Sequence, residues 1–340
     1  MKSLLIAKPG KIEIVDRPIP DVGPEEILLK IKYVGFCGSD LSTYLGKNPM
    51  VSYPRVPGHE VAATIEEIGK EVPKQFLRGQ KATVIPYTNC GDCPACKNGR
   101  DNACRDNETL GVQRDGAMSS FLAVPWQKVV IEDKLSFKEL ALIEPLTVGF
   151  HAINRAQVNK NDLVMVLGCG MIGMGAIIGA LQREATVIAV DIDNQKIELA
   201  KKVGAQYAIN SKTEDLSTAL ANNDFISGPN VVIEAVGNPI TYKAAIEIVT
   251  FTGRVVCIGY AKEDIPLSTK LWVQKELDIR GSRNAAPQDF DAVIEYMRQG
   301  EFPYNEFITK IIHPEEAGGA VAIWAENPGP VFKILLNPAD

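Results

Sequence analysis

The chain has 340 residues, 46% of them hydrophobic and 23% charged, with 28 glycines and 21 prolines, a balance that excludes disordered and collagen-like classes. At roughly 150 residues per domain it makes two or three domains. A formal charge of −6 gives no global attraction to phosphate backbones or anionic lipid, so neither nucleic acid nor a membrane is an expected partner.

The N-terminal run MKSLLIAKPGK has a four-residue apolar stretch before Lys8 and Pro9, too short for the core of a secretory leader. A cytoplasmic, reducing setting is therefore expected, in which clustered thiols bind metal more often than they pair. Residues 1 to about 150 read as irregular, mostly antiparallel β structure, from alternating runs such as EILLKIKYVGFCG and KATVIPY broken by Gly and Pro. Within them, Cys37 lies in GFCGSD, His59 and Glu60 in PGHE, and Glu144 in LIEPL. Each alone has an ordinary reading: a small buried thiol, a satisfied loop histidine, a helix-end charge. Together a thiolate, an imidazole and carboxylates make an incomplete shell that leaves zinc an open position for water or substrate.

Cys90, Cys93, Cys96 and Cys104 have the spacing C-x2-C-x2-C-x7-C. Four thiolates close a tetrahedron and leave no open position, so zinc there is structural, with an iron–sulfur cluster as the chemical rival. The remaining cysteines, Cys169 and Cys257, fall in apolar runs and read as packing residues.

Near residue 161 the texture changes. Apolar runs at 163–168, 186–191, 207–210, 231–236, 254–259 and 278–283 alternate with helical stretches at 171–183, 194–203 and 239–250, the pattern of a doubly wound parallel sheet. The uncharged stretch from Leu163 to Leu181 would pass a membrane-span window, but five glycines make it strand, turn and helix. Its GCGMIG places Gly168 at a tight turn, Gly170 where backbone amides approach a pyrophosphate, and Gly173 where helix meets strand, with Met171 and Ile172 opening the helix. Asp191, eighteen residues after Gly173, is placed to accept from an adenosine ribose and to repel a 2′-phosphate, which favours NAD. The tail from about 286 has a helical pattern followed by short strands like those of the first segment, onto which it is expected to pack.

GFCGSD, PGHE, the four-cysteine lobe, ALIEPL, GCGMIG and GSRNA stand in the order seen in zinc-dependent medium-chain dehydrogenases, and the chain resembles that family over essentially its whole length. It is most similar to the polyol and sugar-acid branch, which includes sorbitol, threonine and L-galactonate dehydrogenases. The resemblance implies an α/β protein: a Rossmann domain over 151–285 inserted in a GroES-like, mainly β catalytic domain of 1–150 plus 286–340, with the structural zinc lobe at 89–105 and the active site in the cleft between the domains. It implies two zinc ions per chain, an NAD cofactor, a small alcohol as substrate and a homodimer or homotetramer. By resemblance, Cys37 and His59 bind the catalytic zinc directly, Glu60 is a ligand or stands close behind one, and Glu144 binds directly or through water. Ser39 matches the hydroxyl that meets the substrate oxygen, Arg283 a substrate-side arginine, and Ala235, Val236, Ile258 and Gly259 the nicotinamide pocket.

Two departures stand out. Ser42 occupies a position where many relatives carry a relay histidine, which puts the last proton step in doubt, and Ala63 replaces the last glycine of GHE-x-x-G. Rival readings are a zinc-free quinone reductase on the same fold, a non-catalytic NAD-binding redox sensor and a zinc-ribbon nucleic-acid binder. The metal motifs speak against the first two, and the acidic balance against the third.

Overall fold

The computed structural model describes residues 1–261 and 263–338. The chain divides into two compact units, 1–144 with 293–340, and 145–292. In the first, a seven-stranded sheet runs in the order Ile308–Ile312, Lys333–Leu336, Glu26–Gly35, Glu60–Ile68, Lys81–Val84, Val129–Ile131, with Phe121–Pro125 also paired to Glu26–Gly35. Strand alternation buries Ile27, Leu29, Ile31, Val61, Ala63 and Ile65 in one core with Met118, Val321 and Leu336.

The register of that sheet prepares a site. Gly35 pairs with Glu60, so the residues just beyond, Cys37 on one strand and His59 on the other, leave the sheet side by side. A Cβ on Gly35 would stand 1.9 Å from Glu60 Oε2, so only glycine lets that carboxylate fold over the strand. Gly58 has φ +97, a left-handed conformation, and a Cβ there would strike Met118 and Val34 at 2.7 Å. Ala63, in place of the usual glycine, lies in regular strand and is fully buried.

The second unit holds a six-stranded parallel sheet in the order Tyr207–Asn210, Thr186–Asp191, Leu163–Leu167, Val231–Glu234, Arg254–Cys257, Asp278–Gly281. This order reverses at the Leu163–Leu167 strand, which makes the switch point of a doubly wound fold. The fold is thus a Rossmann-type α/β sheet together with a mainly β, GroES-like unit. Helices Met171–Leu181, Asn194–Lys202 and Pro239–Ile248 follow their strands as the periodicity predicts.

The 20-residue helix Phe137–Ala156 was not expected. It departs from the β reading of the first 150 residues because it is apolar on most sides and so lacks a clear helical stripe, and because Pro145 inside it reads as a breaker. Glu144 therefore sits mid-helix rather than at a helix end. Among the described residues, no helix is long and apolar enough to cross a membrane.

Candidate metal centre and cofactor loop

Cys37, His59 and Glu60 bring one donor atom each to within 4.8 Å of one another, with both His59 and Glu60 buried. Cys37 precedes the helix Gly38–Tyr44, whose first turn carries Asp40. The Asp40 carboxylate accepts from the Cys37 amide at 2.9 Å and from the Gly58 amide at 3.3 Å. One buried side chain thereby pins together the two loops that present the thiol and the imidazole. Burial raises the Asp40 pKa above its ordinary value, partly opposed by nearby His59 and by those amides.

Lys333, from the C-terminal strand, is buried and donates to the Phe36 carbonyl at 3.1 Å and to Glu60 Oε1. Burial disfavours its charge, but the Glu60 carboxylate and the Cys37 sulfur outweigh this and raise its pKa. The other oxygen, Glu60 Oε2, is buried without a hydrogen-bond partner, as are His59 Nδ1 and Ser39 Oγ. His59 is likewise pulled down by burial and more strongly up by Cys37, Glu144 and Asp40, so its pKa lies well above 6.5. Unpartnered polar atoms at this depth are costly in a dry protein. A divalent cation among these donors would turn the gathered negative charge into attraction and ease the cost of burying it. The soft and borderline donor set suits zinc.

Glu144 is buried nearby and feels the charges of His59 and Glu60, and its Oε1 accepts from the Tyr87 hydroxyl. Burial raises its pKa, with His59, Tyr87 and Lys333 pulling the other way. It lies outside the tight three-donor group. Ser42 shares the Gly38–Tyr44 helix with Ser39, three residues on and so on the same face.

The four lobe cysteines gather just as closely, and none is joined in a disulfide. Sulfur separations of 3.6 Å for Cys93 to Cys96, 3.9 Å for Cys93 to Cys104 and 3.6 Å for Cys104 to Cys90 are far too long for disulfides. A tetrahedron with Zn–S near 2.3 Å has edges of about 3.8 Å, so the sulfur spacing matches a tetrathiolate. Amide donors from Cys96 and Arg105 pull the Cys93 thiol down to about 6.

In the second unit the glycine loop has the predicted division of labour. Gly168 turns with φ +93, and a Cβ on Gly173 would lie 1.8 Å from the Gly168 carbonyl, so helix and strand pack too closely for a side chain. A Cβ on Gly170 would meet nothing within 4 Å, leaving open backbone before the amides of Met171 and Ile172 at the helix start. That cradle fits a pyrophosphate.

The Asp191 carboxylate accepts from the Cys169 amide at 2.7 Å and from the Ile192 and Asp193 amides at 2.8 and 3.0 Å. It therefore ties the glycine loop to the second strand and keeps acceptor capacity for a ribose hydroxyl. Asp193 caps the next helix through Gln195 and Lys196. Ala235 and Val236 follow the fourth strand, with Val236 half exposed, and the Ile258 and Gly259 amides bond to the Glu234 carbonyl. Arg283 lies in the turn after Asp278–Gly281, between Ser282, bonded to the Cys257 carbonyl, and Asn284 at φ 55.

Asp40, Tyr87 and Lys333 were not singled out from the sequence. Asp40 stood inside the quoted GFCGSD, and Lys333 is a lone charge in the apolar run VFKILL, a usable signal. Tyr87 carried none.

The site and fold define a metal-dependent, dinucleotide-binding oxidoreductase class. Residues 23–133 match the alcohol dehydrogenase GroES-like domain and residues 172–299 the zinc-binding dehydrogenase domain. The chain is 34% identical to the L-galactonate-5-dehydrogenase of Escherichia coli over 91% of both chains, and 31% identical to the sorbitol dehydrogenase of Bacillus subtilis over 99% of this chain and 97% of that one. It superposes with TM-score 0.91 and 31% identity, over 99% of each chain, on a crystal structure of an Escherichia coli alcohol dehydrogenase complexed with NADH. The chain belongs to the zinc-type medium-chain alcohol dehydrogenase superfamily, in its polyol and sugar-acid branch. It is a dehydrogenase of small-molecule alcohols that uses zinc and a nicotinamide cofactor.

Proposed function

We propose that the protein oxidises a secondary alcohol of a sugar acid or polyol, an L-galactonate-like acid before a sorbitol- or threonine-like substrate, with NAD as acceptor. The observation that carries this reading is the buried trio Cys37, His59 and Glu60 with its orphaned Glu60 oxygen. Cys37 and His59, with Glu60 and Glu144 as ligands or close neighbours, would hold a zinc ion that would supply Lewis acidity toward the substrate hydroxyl, and a bound NAD would supply the hydride acceptor.

The remaining work falls to side chains. The Ser39 hydroxyl, buried and without a partner, takes the alcohol proton, and Ser42 one helical turn away or water passes it on. Arg283 holds a substrate hydroxyl or carboxylate. Gly168, Gly170 and Gly173 seat the pyrophosphate, Asp191 the ribose, and Ala235, Val236, Ile258 and Gly259 the nicotinamide. Cys90, Cys93, Cys96 and Cys104 hold a second, structural zinc. Cysteines outside disulfides accord with a reducing, cytoplasmic setting, and Asp278–Gly281, the last strand of its sheet, offers an edge for a homo-oligomer.

NAD reduction measured over sugar acids, polyols, threonine and simple secondary alcohols tests the reading, alongside metal analysis. About two zinc per chain and turnover on an acid or polyol are expected; cofactor binding with no turnover across the panel overturns it. Asp191→Ala should weaken NAD and improve relative use of NADP, and an unchanged preference would remove Asp191 from the ribose.

A further inference from the structure

The sequence between the two cysteine-containing sites connects them physically. Residues 86–88 and 108–110 form a short antiparallel stem: Tyr87 bridges Thr109, the Leu110 amide donates to the Pro86 carbonyl at 3.0 Å, and the Thr88 amide to the Glu108 carbonyl at 3.2 Å. The Glu108 amide adds a bond to Thr88 Oγ1 at 2.6 Å. This stem closes the loop that holds all four lobe cysteines, and Cys90 follows Tyr87 by three residues. Tyr87 itself is 5% exposed, and its hydroxyl donates to Glu144 Oε1.

We propose that Tyr87 is a positioning residue: the lobe's stem fixes the phenol, and the phenol fixes the Glu144 carboxylate relative to the Cys37 centre. A carboxylate has two oxygens and several rotamers. One charge-assisted hydrogen bond from a rigidly held donor selects among them and leaves the second oxygen directed by the first. Without it, Glu144 is a flexible anion beside a cation and moves to satisfy the metal as it can. The four-cysteine lobe thereby gains a role in the geometry of the reacting centre. This inference rests on the metal reading given above.

The test uses full-length protein loaded with Co²⁺, whose visible bands report ligand geometry. The difference between wild type and Cys37→Ala isolates the bands of the Cys37 site from those of the lobe. Tyr87→Phe should shift those bands and lower kcat about 10- to 100-fold, the range for residues that orient metal ligands, with KM for NAD and the thermal midpoint little changed. In a Glu144→Gln background the effect of Tyr87→Phe should shrink, because both changes act through one carboxylate. Bands and kcat unaltered by Tyr87→Phe, or full additivity with Glu144→Gln, overturn the assignment. Failure of wild type to show any Cys37-dependent bands overturns the metal reading and this inference with it. Should Tyr87→Phe not fold, metal titration of the wild type decides: a phenol ultraviolet difference band that appears with the metal and vanishes in Glu144→Gln is expected, and no band in wild type overturns the proposal.

Discussion

The two cysteine-containing centres gather the same kind of ligand by opposite routes. The lobe takes its four sulfurs from fifteen consecutive residues and leaves Cys90 exposed. The Cys37 centre collects Cys37, His59 and Glu60 from two strand ends and adds Lys333 from the far end of the chain. Spacing makes the first; sheet register and a buried carboxylate clamp make the second. A site that needs an open position and tuned charge is built where the protein surrounds it, and one with four thiolate donors is built in a single loop.

Removing Cys37 should separate the two most sharply. Cys37→Ala should lose one zinc and about a thousandfold or more in turnover, the loss of several kcal/mol of transition-state stabilisation, while metal analysis still finds the lobe zinc. Cys96→Ser should do the reverse, losing the lobe metal and thermal stability while retaining Cys37-bound metal; if both metals leave together, the centres are not independent.

Asp40→Ala strands two amides in the interior and should cost about 1–3 kcal/mol by thermal or denaturant unfolding, with metal lost from the Cys37 centre first. Gly35→Ala forces the Glu60 carboxylate aside, because the new methyl would stand 1.9 Å from Oε2. About a tenfold fall in turnover or metal affinity is expected, with the lobe's metal content untouched.

The smallest effect concerns acid. The Asp115 carboxylate accepts from Arg17 at 2.9 Å and from the Val56 amide at 3.2 Å, tying the segment that leaves the lobe to the loop that carries His59. Burial works to raise its pKa, but these partners hold it below the usual 3.8. Its contribution is therefore complete above the unfolded value and fades as pH falls through the lower folded value. Asp115→Asn should flatten the loss of thermal midpoint in that acid window; an identical acid limb in wild type and variant would show that the tie contributes nothing.

Legibility in the sequence followed the same division. Six strands of the parallel sheet, the glycine loop and the four-cysteine spacing were readable because each is a local pattern: an apolar run, a short motif, a fixed spacing. Cys37, His59, Glu60 and Glu144 lay in separate motifs that only the family resemblance joined, and Glu144 lies outside the tight group of the other three. The Phe137–Ala156 helix was not readable, since burial on most sides erased its stripe and Pro145 mimicked a stop. Nor was the support around Cys37. Lys333 meets Glu60 across 273 residues of sequence, and Tyr87 meets Glu144 across 57. Pairings of that kind depend on how strands are ordered in a sheet, which no local pattern records.

The place of Lys333 also sets an order of events during synthesis. As the chain emerges, the four lobe cysteines are all available once Cys104 has appeared, and the lobe can take its metal while two-thirds of the protein is still unmade. The Cys37 centre has its thiol and imidazole earlier still, yet the cation that restrains Glu60 comes only with the strand Lys333–Leu336, which pairs beside Gly35. Until that strand arrives, Glu60 lacks its restraining cation. The reacting centre is thus completed later than the lobe.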